Sequence, residues 1–113
     1  MITDINILAE ECKEDNWDGY GAYPVTEETL ALGIKLADLL KAFPLADVGV
    51  GPDGHYDFDW SSGPTRPSFS LSGDKNSRIA YNVFNYKDGY HGSMHVDEFY
   101  ESEIYKDMCK ELL

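Results

Sequence analysis

Basic residues, cysteines and long hydrophobic runs are all scarce in this chain. Its 113 residues include nine Lys and Arg against 21 Asp and Glu, which gives a formal net charge of −12. Because nucleic-acid phosphates and anionic lipid surfaces attract basic faces, this balance argues against direct binding to nucleic acid or to a membrane. No run of about 18 apolar residues is present, so we expect no transmembrane helix. The N-terminal region also lacks the basic and apolar parts of a secretory signal, which favours a cytoplasmic location.

The chain has two cysteines, Cys12 and Cys109, and neither belongs to a Cys-x-x-Cys pair. The spacing therefore predicts no zinc or redox motif, and we expect both residues to be free thiols packed on apolar helix faces. The sequence also lacks a glycine-rich phosphate loop before a helix and a Gly-x-Ser-x-Gly nucleophile motif. We therefore expect no cofactor and no catalytic nucleophile.

Two groups of polar residues have part of the spacing of a metal site. Residues 16–19 match part of an EF-hand calcium loop, but Val25 stands where that loop needs its bidentate acid. His91 and His95 are four residues apart on a predicted strand, where they would lie about 13 Å apart and too distant to share a zinc ion. We therefore expect no metal site, and we expect these two histidines and His55 to be ordinary exposed residues.

The pattern of apolar residues predicts a single α+β domain over residues 1–113. Apolar residues recur at helical spacing over 4–15 and over 27–43, and Thr26 is a suitable N-cap for the second of these helices. From residue 46 the period changes to two, which is typical of strands in an antiparallel sheet. Short turns such as Pro52-Asp53-Gly54 imply a meander with the helices on one face, a two-layer arrangement. The predicted strands are 46–50, 55–61, 68–72, 78–86 and 90–96, and the predicted final helix is 98–112.

The stretch Asn16–Pro24 is the most distinctive part of the sequence. Two glycines and a proline prevent a regular helix there and predict a rigid connection between the first two helices. Asp18 is suited to accept backbone N–H groups in a turn, and Trp17 and Tyr20 are suited to anchor the loop. Alternatively, Trp17, Tyr20 and Tyr23 form an exposed aromatic patch that marks a partner site. The exposure of Trp17 distinguishes the two interpretations.

The pattern Asn-Trp-Asp-Gly-Tyr-Gly-Ala-x-Pro at Asn16–Pro24 resembles the motif of a family of small bacterial and phage-associated proteins to which no reaction is assigned. The resemblance continues at Thr26-Glu27-Glu28, at Pro52-Asp53-Gly54 and at Asp59-Trp60. It implies a small α+β domain of a kind often encoded on mobile elements. It implies no catalytic residue, because no reaction is known for the family.

Acidic residues are concentrated at the end of the first predicted helix. There, Glu10/Glu14 and Glu11/Asp15 would be like-charge pairs one helical turn apart, each costing roughly 0.2–0.5 kcal/mol. The helix dipole also disfavours acids at this end. Because local stability does not require these acids, we expect them to form a binding site, with simple solubility as the alternative. The predicted partner-binding residues are Glu10, Glu11, Glu14, Asp15, Trp17, Asp18, Tyr20, Asp57 and Asp59.

These features predict a non-enzymatic, protein-binding inhibitor. Its carboxylates would mimic nucleic acid and occupy the basic groove of a nucleic-acid-binding protein or nuclease complex. The first interpretation is an anti-defence protein of a phage or mobile element, similar to an anti-CRISPR. The alternatives are an antitoxin that neutralises a nuclease toxin, and a small hydrolase that uses Asp57 and Asp59, which share one strand face about 7 Å apart. A further alternative is a structural subunit that forms a homodimer through its aromatic patch.

Overall fold

The computed structural model describes residues 1–61, 66–71, 78–83 and 89–113. Two α-helices come first, five strands follow, and a 3₁₀ helix and a third α-helix complete the order. This order confirms the α+β class predicted from the sequence. The helices are α1 (Ile2–Glu11), α2 (Glu27–Leu39), the 3₁₀ helix (Val96–Glu101) and α3 (Glu103–Leu112), and the strands are β1 (Asp47–Val50), β2 (Tyr56–Asp59), β3 (Ser68–Leu71), β4 (Arg78–Val83) and β5 (Tyr90–His95).

The five strands form one sheet in the order β1-β2-β3-β4-β5, and every neighbouring pair is antiparallel. At the β1–β2 turn, the N–H of Gly51 donates to the carbonyl oxygen of His55 (3.0 Å), and the N–H of Gly54 donates to that of Gly51 (2.9 Å). Gly54 has a φ of +81°, which glycine adopts without strain, so the predicted Pro-Asp-Gly turn is confirmed. The predicted strand ends at 72 and 84–86 lie outside the described residues.

One face of the sheet is buried under the helices. Tyr56 and Phe58 of β2 are fully buried, whereas the residues that alternate with them are not. The hydroxyl of Tyr56 donates to the carbonyl oxygen of Ile5 in α1 (2.8 Å), and Gly33 of α2 makes room for the tyrosine ring, since a β-carbon there would lie 3.1 Å from it. We call the other side of the sheet the open face; its residues are Asp47, Gly49, Asp57, Asp59, Ser68, Ser70, Arg78, Ala80, Asn82, His91, Ser93 and His95.

The first helix ends earlier than predicted. α1 spans Ile2–Glu11 instead of 4–15, because the chain leaves the helix at Cys12, where φ is −112°. Glu14 and Asp15 therefore lie beyond the helix, and the expected like-charge pairs one helical turn apart do not form. The helical pattern of the sequence is not followed to its end, because the carbonyl oxygen of Cys12 accepts the N–H of Val25 (2.9 Å) and Asn16 adopts a φ of +63°.

Two other helix boundaries also differ from the prediction. α2 ends at Leu39 and not at 43, although Thr26 is confirmed as its N-cap by a backbone N–H that donates to its hydroxyl oxygen (3.2 Å). The predicted helix over 98–112 is divided into the 3₁₀ helix and α3. Ser102 separates the two, because its extended backbone breaks the helical path while its hydroxyl caps α3 by accepting the N–H of Tyr105 (3.3 Å).

Candidate functional site

The connection between α1 and α2 is a loop held by its own hydrogen bonds. One carboxylate oxygen of Asp18 accepts the N–H groups of Tyr20 (2.8 Å) and Ala22 (3.2 Å). The side-chain oxygen of Asn16 accepts the N–H of Gly21 (2.6 Å), and the backbone N–H of Asn16 donates to the carbonyl oxygen of Ala22 (2.8 Å). The polar residues of the sequence motif therefore fix the shape of the loop.

The three aromatic residues of this loop have different environments. Trp17 is half-buried against the core, and its indole N–H donates to the carbonyl oxygen of Tyr23 (2.7 Å). Tyr20 is 92% exposed and Tyr23 is 67% exposed. Trp17 is therefore an anchor of the loop, as one interpretation predicted, but the expectation that Tyr20 is also an anchor is wrong. Only Tyr20 and Tyr23 are available to an exposed aromatic patch.

The loop packs against the β1–β2 turn. The N–H of Tyr23 donates to the carbonyl oxygen of Pro52 (2.7 Å). Gly54 lies so close to Pro24 that a β-carbon on Gly54 would be 2.5 Å from the carbonyl oxygen of Pro24. The two most distinctive motifs of the sequence, the nonapeptide and the Pro-Asp-Gly turn, are thus the two sides of one contact.

This contact joins two strongly acidic segments of the chain. Residues 10–18 and 47–59 hold nine acidic residues and a single basic residue, Lys13, so they carry a formal charge of −8 out of the −12 of the whole chain. Lys13 is itself paired with Glu10 (2.6 Å). We call the nine acids the acidic edge: Glu10, Glu11, Glu14, Asp15, Asp18, Asp47, Asp53, Asp57 and Asp59.

Three acids of the β1–β2 hairpin lie together on the open face. Asp59 is opposite Asp47 in the β1–β2 register and two residues from Asp57 on the same strand. The pKa of Asp59 is raised above its ordinary value, first because burial disfavours the charged form and then because the carboxylates of Asp57 and Asp47 repel it. Partial burial and the two neighbouring carboxylates therefore make the ionised form of Asp59 unfavourable for the fold.

His55 links two acids of the hairpin. Its imidazole contacts the carboxylates of Asp53, through Nδ1, and of Asp57, through Nε2 (3.0 Å). The ring packs over Gly51, and the side chain is only 22% exposed, so the expectation of an ordinary exposed histidine is wrong. The pattern Asp-x-His-x-Asp could have indicated this cluster, since alternate residues of a strand share a face.

A cavity of about 340 Å³ lies on the open face beside His55. Ser70 and Ser93 line it together with Asp53, His55 and Arg78, and Arg78 donates to the carbonyl oxygen (2.9 Å) and the hydroxyl (3.1 Å) of Ser93. Neither aspartate of β2 is among the described residues that line this cavity. This cavity therefore does not supply a substrate site for the two carboxylates that the hydrolase interpretation would use.

Both cysteines and His95 have structural environments, whereas His91 is exposed, as predicted. Cys12 is buried and Cys109 is half-buried, and both are free thiols, as predicted. Burial raises the pKa of Cys12 and so lowers its reactivity. His91 and His95 lie on one continuous strand, and a ring nitrogen of His95 caps the 3₁₀ helix by accepting the N–H of Asp97 (3.1 Å). In the described ranges, no group of three or more His, Cys, Asp or Glu side chains could hold a metal ion.

Comparisons with family models, with curated proteins and with solved structures gave no match to this chain. The resemblance carried by the Asn16–Pro24 motif therefore stays a prediction. Within the part of the chain that the structure describes, no helix is both long and apolar enough to cross a membrane.

Proposed function

We propose that this protein is a non-enzymatic inhibitor that binds the basic groove of a nucleic-acid-binding protein or nuclease complex. The observation that supports the proposal most is the contact between the loop and the β1–β2 turn, because it joins two segments with a combined formal charge of −8. The resemblance to phage-associated proteins favours an anti-defence, anti-CRISPR-like role for a phage or mobile element. In this proposal the protein acts in the cytoplasm.

Carboxylates at fixed positions can compete with phosphates for Lys and Arg side chains. Both groups accept charge-assisted hydrogen bonds, and the guanidinium of Arg binds both in a bidentate manner. A cluster of one sign also accelerates association with an oppositely charged surface and makes it sensitive to salt. The hydrogen-bonded loop and the paired strands β1 and β2 supply the fixed positions that such mimicry needs.

The residues of the predicted site have two different roles in this proposal. Trp17 and Asp18 are engaged inside the loop, so they maintain its shape and do not themselves contact the partner. The groups left for the partner are the exposed acids near the end of α1, the aspartates of β2 and two exposed tyrosine rings, which can pack on arginine side chains. The proposed partner-binding residues are Glu10, Glu11, Glu14, Asp15, Tyr20, Tyr23, Asp57 and Asp59.

Charge reversal on and off the acidic edge tests the proposal. One triple variant carries Glu11→Lys, Glu14→Lys and Asp15→Lys; the control carries the same change at Glu28, Glu101 and Glu111, which are exposed residues outside the edge. Immobilised wild type and both variants are incubated with host lysate, and bound proteins are released with a duplex DNA oligonucleotide and identified by mass spectrometry. The captured protein is then purified, and its nucleic-acid binding is titrated with each of the three proteins.

We expect wild type and the control to displace the nucleic acid with similar inhibition constants. The edge variant should be at least about 100-fold weaker, because each close charge pair lost costs roughly 1.5 kcal/mol or more. A captured defence effector would identify an anti-defence protein, and a captured toxin nuclease would identify an antitoxin that uses the same edge. Equal binding by both triple variants, or simultaneous binding of nucleic acid and this protein, would show that the proposal is wrong.

A further inference from the structure

Exposed hydrophobic side chains cluster far from the acidic end of α1. Four of the seven large hydrophobic residues that are exposed in the described part of the chain line two adjoining cavities of about 300 and 330 Å³. The two cavities share Lys41 and Phe43 as lining residues. We call this surface the apolar groove; the residues that matter here are Ile2, Lys41, Phe43, Leu45, Tyr100 and Leu113. Clusters of this kind are uncommon on isolated proteins and are typical of interfaces.

The walls of the apolar groove are held in place by contacts within the fold. The ring of Tyr100 lies 5.1 Å from the ring of Tyr105, and its hydroxyl donates to the carbonyl oxygen of Leu39 (3.5 Å). Leu45 is 77% exposed, and the preceding residue, Pro44, is fixed because its carbonyl oxygen accepts the indole N–H of Trp60 (2.9 Å). The ring of Tyr100 and the backbone beside Leu45 are therefore held by the fold, which reduces the entropy lost when a partner covers them.

The charge of the apolar groove favours a second copy of this chain as the occupant. In a chain with 21 acids, the described lining of both cavities contains no Asp or Glu side chain, and Lys41 is its one basic side chain. The ammonium of Lys41 lies 3.6 Å from the carboxylate of Asp38, and both side chains are exposed. A cation and an anion one helical turn apart are complementary to themselves under a two-fold axis, since each Lys41 can face the Asp38 of the other copy.

The position of the apolar groove also suits self-association. Ile2 is at the first turn of α1 and Glu10 is at the last, so the apolar groove lies about 12 Å along that helix from the acids near its C-terminal end. Two copies joined through the apolar groove would thus keep the acids near the end of α1 outside the interface. We propose that the apolar groove is the interface of a symmetric homodimer, in which Leu45 and Tyr100 are covered and Lys41 pairs with Asp38 across the two-fold axis.

Sedimentation velocity over a wide range of protein concentration tests this interface on the full chain. Wild type should show a reversible equilibrium between monomer and dimer. Leu45→Glu should weaken the dimer at least about tenfold, which is 1.4 kcal/mol, because it places a carboxylate in an apolar contact. Ile7→Glu is the matched control, since Ile7 is 52% exposed and lies outside the described lining of the apolar groove; it should leave the equilibrium unchanged.

A charge swap tests the two-fold pairing independently of apolar contacts. Lys41→Asp and Asp38→Lys should each weaken the homodimer, because each puts like charges opposite one another, and an equimolar mixture of the two variants should form a heterodimer. Thermal unfolding of each variant alone confirms that it is folded. A wild type that stays monomeric at all concentrations, a dimer that Leu45→Glu leaves intact, or variants that do not recover association on mixing would each overturn the proposal.

Discussion

The backbone of Gly54 lies directly against the carbonyl oxygen of Pro24, at a distance that leaves no room for a β-carbon. Gly54 belongs to the turn between β1 and β2, and Pro24 ends the loop between α1 and α2. The N–H of Tyr23 and the carbonyl oxygen of Pro52 form a hydrogen bond beside this contact. The packing of the loop against the hairpin therefore depends on an uncharged glycine that is 30 residues from Pro24 in the sequence.

Gly54→Ala is expected to destabilise the protein more than an alanine at another left-handed glycine. At Gly54 the substitution meets both a positive φ and the Pro24 carbonyl at 2.5 Å, whereas Gly21 has a φ of +85° with no atom within 4 Å of the added carbon. We expect Gly21→Ala to lower the free energy of unfolding by about 1–2 kcal/mol. Gly54→Ala should lower it by at least about 1 kcal/mol more, because the loop must move. Urea denaturation measures both free energies of unfolding.

Gly49→Ala is the control for this pair. Gly49 has neither a positive φ nor an atom near the added carbon, so Gly49→Ala should alter the free energy of unfolding by less than about 0.5 kcal/mol. Equal losses of the free energy of unfolding in Gly54→Ala and Gly21→Ala would mean that the loop does not pack against the β1–β2 turn.

Asp59→Asn is expected to stabilise the protein at neutral pH. The pKa of Asp59 is raised from 3.8, so the folded state holds its proton more tightly than the unfolded state does. Its contribution to stability therefore falls as the pH rises through the raised pKa, and the ionised carboxylate is unfavourable at pH 7. The gain should be below about 1 kcal/mol because the side chain is exposed, and it should vanish near pH 3.8. Thermal unfolding at several pH values measures it.

Asp97→Asn provides a control of opposite sign. A hydrogen bond from Lys35 lowers the pKa of Asp97, so its contribution to stability is present at neutral pH and is lost as the pH falls. This variant should be less stable than wild type at pH 7. If both variants shifted stability in the same direction, local charge would not be the cause of either effect.

Tyr56→Phe is expected to change how the protein responds to alkali. Burial, with a smaller contribution from Cys12, raises the pKa of Tyr56 from 10 to about 12. The neutral ring therefore stabilises the fold below pH 10, and this contribution is lost as the pH rises towards 12. At pH 7 the variant should lose about 0.5–1.5 kcal/mol with the hydrogen bond to Ile5. Its disadvantage should shrink above pH 10, as unfolding curves followed by circular dichroism can show.

Tyr20→Phe is the matched control, because Tyr20 is almost fully exposed. It should match wild type at pH 7 and at alkaline pH. A Tyr56→Phe variant whose deficit stays constant from pH 7 to pH 12 would contradict the burial of an un-ionised hydroxyl.

The strand order and the buried faces of β2 and β3 could be predicted from the sequence because the cause is local. Tyr56 and Phe58 alternate with aspartates, which assigns one face to the core, and the proline and glycine of the first turn fix the hairpin. The extent of α1 could not be predicted in this way. Glu14 and Asp15 continue a helical pattern, but the carbonyl oxygen of Cys12 accepts the N–H of Val25, which lies 13 residues further along the chain.

The contact that joins the two parts of the candidate site could not be predicted from the sequence either. The acids near the end of α1 and those of the β1–β2 hairpin could be identified separately, but the contact that joins them is made by backbone atoms of Tyr23, Pro24 and Pro52. Every residue has such atoms, so no residue type indicates the contact. His55 was missed for a related reason, since its importance arises from the two carboxylates placed beside it.

Folding brings acidic segments of the chain closer together, because the loop packs against the β1–β2 turn. In the unfolded chain, 28 residues separate 10–18 from 47–59, and their acids repel one another weakly. Dissolved ions shorten the reach of such repulsion, from about 30 Å at 0.01 M to about 8 Å at 0.15 M. Added salt therefore weakens the repulsion in the folded chain more than the repulsion in the unfolded chain. We expect the free energy of unfolding to be higher at about 0.15 M salt than in dilute buffer. A fold held together by surface ion pairs would show the opposite dependence on salt.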